Sequence, residues 1–223
     1  NVLRATGLSR AYQAGGEALW ALREVALEIA AGEFVAVMGP SGSGKSTLLS
    51  LLAGLEAPTS GEVWLSGEPL HSLDDAALSR LRRNQVGFVF QSYNLVPVLT
   101  LEENVALPFV LQGKSPAAYR EPVRAALASV DLTHRARQLP DRVSGGERQR
   151  AALARALVTE PALIFADEPT GALDREKGRG VLALLRRACS EQGRTVVMVT
   201  HDEEAASVAD RIVRLRDGRL EIA

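Results

Sequence analysis

Gly39, Pro40, Ser41, Gly42, Ser43, Gly44, Lys45 and Ser46 fit the pattern G-x-x-x-x-G-K-[ST], and Thr47 follows. An apolar run over residues 34–38 precedes them and a leucine-rich run over 48–55 comes after. Such a pattern carries weight only between a strand and a helix, and these flanks supply both. Glycines let successive amide N–H groups converge on phosphate oxygens, and the helix start turns its positive dipole end to the same anion. Lys45 is placed to reach the β- and γ-phosphates, and the Ser46 hydroxyl to ligate Mg2+. The competing reading, a Gly/Ser turn with a surface lysine, leaves the flanks unexplained. The segment implies a nucleoside triphosphate site.

A second apolar run, residues 162–166, ends in Asp167 and Glu168. Beside a phosphate loop, an acid at a strand end holds Mg2+, a role that falls to Asp167. Glu168 leaves the strand in another direction and is the candidate to orient or deprotonate an attacking water. Ser144 and Glu147 form an S-x-x-E capping box that opens a helix. That explains two residues of the segment but not Gly145 and Gly146, which raise the entropy cost of a first helical turn. Paired glycines there let an anion approach the helix-start amides, so the segment reads as both a cap and a phosphate sensor.

The elements that must position these residues follow from periodicity. Strands are expected over 2–8, 25–29, 34–38, 62–65, 86–90, 162–166 and 195–200, with a final hairpin of 211–215 and 219–222 turning at Asp217-Gly218. The early strands, separated by short polar turns, read as antiparallel. The later ones, apolar throughout and bounded by helices, read as buried parallel strands. Helices are expected over 45–55, 117–129, 147–158 and 175–191, the last with Asp174 at its N-cap. Residues 100–139 carry helical periodicity and several prolines. The expectation is therefore one domain over 1–223, of class α/β. It has a phosphate-loop NTPase core with a mostly parallel sheet, an N-terminal antiparallel β subdomain (both within 1–99 and 140–223) and an inserted helical subdomain at 100–139.

Composition narrows the classes of function. The chain has 223 residues, 46% hydrophobic and 24% charged, with a formal net charge of −1. Without a dominant basic block, nucleic acid is not the expected partner. One cysteine, Cys189, allows neither an internal disulfide nor a cysteine zinc cluster and reads as an apolar filler. His71 and His134 read as bystanders. The longest uncharged stretch, residues 86–101, is too short for a spanning helix. Work at a membrane is expected to go through docking onto another subunit. Because the first residue is Asn1, a membrane segment on a longer parent chain stays open.

The phosphate loop, Ser144-Gly145-Gly146-Glu147 and Asp167-Glu168-Pro169-Thr170, in this order and at these separations, resemble the nucleotide-binding subunit of an ATP-binding cassette (ABC) transporter, over nearly the whole chain. The resemblance implies further roles. Tyr12 stacks on adenine, and Gln91 contacts Mg2+ and relays nucleotide state. Asp174, within Gly171-Ala172-Leu173-Asp174, couples two subunits, and His201 contacts the γ-phosphate and positions Glu168. It also implies a head-to-tail dimer in which ATP, with Mg2+, lies between the Lys45 loop of one copy and Ser144–Gly146 of the other. An integral-membrane transport subunit at the cytoplasmic face of the inner membrane would be the remaining partner, docked on residues 91–98 and 100–139. The family more often has leucine at Val143 and glutamine at Glu147, which leaves the contact made by Glu147 open. Residues 91–105 and 167–174 resemble the branch of lipoprotein release and macrolide-type efflux, although many members carry asparagine at Ala172. Amino-acid importers share much of this wording. A non-transport ABC ATPase of DNA repair or translation is the other alternative, although such proteins usually carry a coiled-coil insertion or a second cassette and this chain shows neither. A phosphate-loop kinase or GTPase is disfavoured by Ser144–Glu147 and His201.

Overall fold

Residues 1–15 and 17–221 are described by a computed structural model. The chain opens with β1 (Leu3–Ala14), β2 (Glu17–Ile29), β3 (Phe34–Met38), α1 (Lys45–Leu52), β4 (Ser60–Leu65), β5 (Glu68–Pro69), α2 (Asp75–Gln85) and β6 (Val86–Val89). It continues through α3 (Leu101–Leu111), α4 (Pro116–Ser129), α5 (Gly145–Leu157), β7 (Leu163–Asp167), α6 (Arg175–Ser190), β8 (Thr195–Thr200), α7 (Glu203–Ala206), β9 (Arg211–Arg216) and β10 (Arg219–Glu221). Ile222, expected to end the last strand, lies outside the described residues.

The class expected from sequence is the class observed. An antiparallel sheet runs β2-β1-β4-β5, and a six-stranded sheet runs β10-β9-β3-β8-β7-β6. In the larger sheet β9, β3, β8, β7 and β6 pair in parallel, and only β10 is antiparallel to its neighbour. β3 and β8 are buried at every position, as their unbroken apolar sequences require.

The pleat of β3 divides the core. Val35 and Val37 face a cluster with Leu48, Leu49 and Leu52 of α1 and Leu3, Leu8 and Ile29 of the antiparallel sheet. Phe34, Ala36 and Met38 face the opposite side, against Leu153 of α5 and Val181, Leu182 and Leu185 of α6. Cys189 belongs to this second cluster, with its thiol donating to the Gly32 carbonyl at 3.2 Å.

A third cluster joins Leu101, Val105 and Phe109 of α3 to Val123 and Leu127 of α4, and it is completed by Ala151, Ala154 and Val158. The helical region at 100–139 therefore does not bury its own core. α5 supplies one face to it and another, through Leu153 and Ala156, to the large sheet. The sequence reading also lacked α2 and the first half of β2. α2 is capped by Asp74, whose carboxylate accepts from the Ala77 amide at 2.7 Å, but it buries only Leu81. The first four residues of β2 are all exposed, so no apolar alternation announces them.

The contact of α5 with β6 depends on Gly87. A Cβ there would stand 2.3 Å from the Ala156 carbonyl oxygen and 3.0 Å from Pro161. Gly87→Ala is expected to cost about 1–3 kcal/mol through overpacking, a fall in Tm of roughly 2–12 °C for a chain of this size. A melting curve matching the parent's would show that β6 and α5 are not in rigid contact.

Candidate functional site

Four parallel strands bring their C-terminal ends to one edge of the large sheet, where open α/β sheets bind ligands. β3 delivers the Gly39–Ser46 loop and β6 delivers Gln91. β7 delivers Asp167 and Glu168, and β8 delivers His201. They surround a cleft of about 570 Å³ whose walls include Pro40, Ser41, Gly42, Gly44, Lys45, Ser46, Thr47, Gln91, Glu168 and His201.

The loop is fixed by close backbone approach. A Cβ on Gly39 would lie 2.1 Å from the Leu215 carbonyl oxygen. One on Gly44, which adopts φ 99° as the N-cap of α1, would lie 2.3 Å from the Ala21 carbonyl oxygen. Lys45 is buried and donates to the Gly39 and Pro40 carbonyls at 2.8 and 2.9 Å. Two of its three protons thus hold the loop closed on itself, and the third remains for a ligand. Ser43 sits beneath the loop, with its hydroxyl buried and unpartnered among the described residues.

Ser46 Oγ donates to Asp167 Oδ1 at 3.2 Å. Burial raises the Asp167 carboxyl above its ordinary value. The Ser46 hydroxyl and Lys45 oppose this, while the neighbouring Glu168 carboxylate adds to it. A hydroxyl and a carboxylate side by side are the hard oxygen donors that Mg2+ takes, in the small number it needs when phosphate oxygens and water complete its octahedron. Among the described residues no group of three His, Cys, Asp or Glu gathers as a closed metal cage. The donor set therefore fits an ion shared with a phosphate ligand.

Glu168 adopts φ 46°, a left-handed conformation uncommon for a non-glycine residue, and its amide donates to the Val199 carbonyl at 3.0 Å. This turns its carboxylate onto His201, with Oε1 lying 2.8 Å from Nδ1. The Glu168 side chain is 12% exposed and that of His201 is 65% exposed, so the carboxylate is sheltered and the imidazole is the accessible partner. The Gln91 amide nitrogen lies 3.4 Å from where a Cβ would stand on Gly171, in the loop that follows Glu168.

Ser144, Gly145, Gly146 and Glu147 lie outside the walls of this cleft, as do Tyr12 and Asp174. The capping box is formed. Ser144 Oγ accepts from the Glu147 amide at 3.3 Å, and Glu147 Oε2 accepts from the Ser144 amide at 2.8 Å. Glu147 Oε1 accepts from Arg135 at 3.0 Å, so both carboxylate oxygens are committed within the chain. The Ser144 amide, chiefly, holds this carboxyl below its ordinary value. Glu147 therefore braces the cap that presents Ser144, Gly145 and Gly146. Asp174 caps α6, accepting from the Lys177 amide at 3.0 Å, and it pairs with the Lys177 ammonium. Tyr12 is exposed, donating to Glu56 at 2.8 Å beneath the Arg10 guanidinium.

Two anchors escaped the sequence reading. Arg155 of α5 donates to the Asn94 and Tyr93 carbonyls at 2.6 and 2.9 Å, both residues having positive φ. Asn104, fully buried, accepts from the Val96 amide at 2.7 Å and donates to the Val96, Leu99 and Thr100 carbonyls. Together they tie the segment after Gln91 to α5 and α3. No spacing in the sequence signals bonds to main-chain carbonyls.

A glycine-rich loop between a strand and a helix, with strand-end acids beside it, defines a phosphate-loop nucleoside triphosphatase of the α/β class. A family model described as ABC transporter matches residues 22–171, and the chain belongs to that family. It is 43% identical to the ABC transporter ATP-binding protein MJ0796 of Methanocaldococcus jannaschii, covering 99% of this chain and 95% of that one. It is 45% identical to the lipoprotein-releasing system ATP-binding protein LolD of Psychrobacter arcticus, covering 99% and 98%. It is 44% identical to the macrolide export ATP-binding/permease protein MacB of Brucella melitensis, covering 98% of this chain but 34% of that longer protein. The fold superposes with TM-score 0.93 on a dimeric, post-hydrolysis structure of MJ0796 bound to ADP and Pi, at 42% identity over 99% of this chain and 97% of that one.

Asp167 gives a pH-linked expectation. A carboxyl whose folded pKa is raised binds protons better folded than unfolded, so its contribution to stability is fully present below its unfolded value and is lost as pH rises through its raised folded value. Asp167→Asn removes the desolvated charge and keeps an acceptor for Ser46. In the absence of nucleotide at pH 7 its Tm is expected to equal or exceed the parent's, while Mg2+-dependent turnover is lost. A clear fall in Tm would show that the charge is stabilising.

Proposed function

We propose that this chain is the ATP-binding and ATP-hydrolysing subunit of an ABC transporter of the lipoprotein-release or macrolide-export type, acting through ATP-driven association of two copies. The observation that carries the chemistry is the Glu168–His201 pair at 2.8 Å in the cleft above the Lys45 loop. The branch rests on the likeness to LolD and MacB.

The loop amides and Lys45 hold the triphosphate, and Tyr12 offers its ring to adenine. Ser46, Asp167 and, from the next strand, Gln91 would hold Mg2+, which when bound neutralises charge on the β- and γ-oxygens. Glu168 orients water for in-line attack on the γ-phosphorus. A bond forms from the water oxygen to phosphorus, the bond from phosphorus to the β–γ bridging oxygen breaks, and the water proton passes to the Glu168 carboxylate, leaving ADP and phosphate. His201 holds Glu168 through Nδ1 and turns Nε2 toward the γ-phosphate.

Ser144, Gly145 and Gly146 serve the nucleotide of the second copy, since the amides of a helix start form an anion site that this chain's own cleft does not include. Asp174, at the start of α6, lies in the loop that couples the two copies. Among the described residues no helix is long and apolar enough to cross a membrane. The transport partner in this reading is a membrane segment outside the described residues, reached at the cytoplasmic face. Its seat is an apolar groove of about 330 Å³ lined by Phe88, Phe90, Leu107 and Leu111 and edged by Arg82, Arg83 and Arg155. A cytoplasmic helix with apolar side chains and an acidic residue fits it. Because Arg155 holds the segment after Gln91, this groove and the nucleotide cleft share one wall.

Glu168→Gln is expected to bind ATP, to lose turnover by about 10²–10⁴-fold, and to elute as a stable dimer with ATP in size-exclusion chromatography. Turnover near the parent's would remove Glu168 from the chemistry.

A further inference from the structure

Gly145 and Gly146 are crowded from two directions. A Cβ on Gly146 would stand 2.7 Å from Lys177 Cδ, so the lysine stem, rising from α6, crosses directly over the start of α5. A Cβ on Gly145 would stand 3.1 Å from the Tyr93 hydroxyl and 4.0 Å from Arg148 Nη2. Two cations from different helices therefore flank the paired glycines, whose amides are orphan donors by their position in the first turn. Arg150 lies close enough for its charge to act on Lys177, and its Nε is buried and unpartnered among the described residues.

Lys177 is badly placed for α6 itself. It occupies the first turn, where a cation opposes the helix dipole. Among the described residues its one anionic bonding partner is Asp174, and the lysine remains half exposed. A cation held at the wrong end of its own helix, over the anion-binding start of another, has a use if an anion arrives from outside.

We propose that Lys177 is an additional ligand for the triphosphate of the second copy, exchanging Asp174 for a γ-phosphate oxygen when that nucleotide seats on Ser144–Gly146. This rests on the two-copy reading above and deepens it. The exchange frees Asp174 Oδ2 at the moment the copies meet, while Oδ1 keeps its bond to the Lys177 amide, so arrival of the triphosphate loosens one of the two contacts that hold the coupling loop. A diphosphate, lacking the γ-oxygens, leaves Lys177 paired with Asp174 and the loop held.

The test uses the full chain carrying Glu168→Gln, at saturating ATP, with the dimer dissociation constant measured by sedimentation at several salt concentrations. Adding Lys177→Met keeps an unbranched apolar stem over Gly146 and removes the charge. It is expected to weaken dimerisation about tenfold, the scale of one charge-assisted hydrogen bond, and to flatten its salt dependence. Lys177→Arg is expected to restore most of the loss. Dimerisation of Lys177→Met within about twofold of its background, or equal losses for Met and Arg, would overturn the proposal. If the Glu168→Gln background itself stays monomeric with ATP, the two-copy reading fails and this inference falls with it.

Discussion

A triphosphate carries several negative charges within a few ångströms, and water solvates them well. Holding it requires many N–H donors and cations aimed at one point. We propose that this chain supplies them in two places. One is the start of α1, where Gly39 and Gly44 have no room for a side chain and Lys45 bonds to the loop's own carbonyls. The other is the start of α5, where Ser144, Gly145 and Gly146 lie outside the first cleft. On that proposal, a half-site that its own chain does not complete gives two copies a reason to associate. Everything else in the fold positions these two helix starts or links them.

α5 makes that link. Its N-terminus carries the second half-site. Its middle packs on the large sheet through Leu153 and Ala156, and on the helical region through Ala151 and Ala154. Its last turns hold the segment after Gln91 through Arg155. One helix thus bears both Ser144 and the bonds that hold the segment after Gln91. The apolar groove that we propose as the seat of a membrane partner is edged by the same Arg155.

The chemistry of the first cleft was legible in the sequence because it is written in short contiguous patterns at strand ends. Gln91, Asp167, Glu168 and His201 come from three different strands, yet parallel pairing delivers them all to one edge of the sheet. Less legible was whatever depends on a side chain meeting distant backbone. Arg155 reaches carbonyls 61 and 62 residues away. The need for glycine at 146 looked like an anion requirement alone, whereas the Lys177 stem crossing from α6 gives a second, steric reason. α2 and the first half of β2 lie so near the surface that their apolar patterns are weak. Glu147 shows the converse. The capping box accounts for its place at the start of α5 from sequence, and the structure adds the Arg135 bond to the same carboxylate.

Mixing two inactive variants tests the shared site most directly. Lys45→Ala disables the loop half, and Ser144→Arg disables the α5 half. In a mixed dimer with sites formed between copies, one site collects both defects and the other is intact. The account expects ATPase activity to appear on mixing, well above that of either variant alone. Activity that stays at the level of the separate variants, with mixed dimers demonstrably formed, would contradict it.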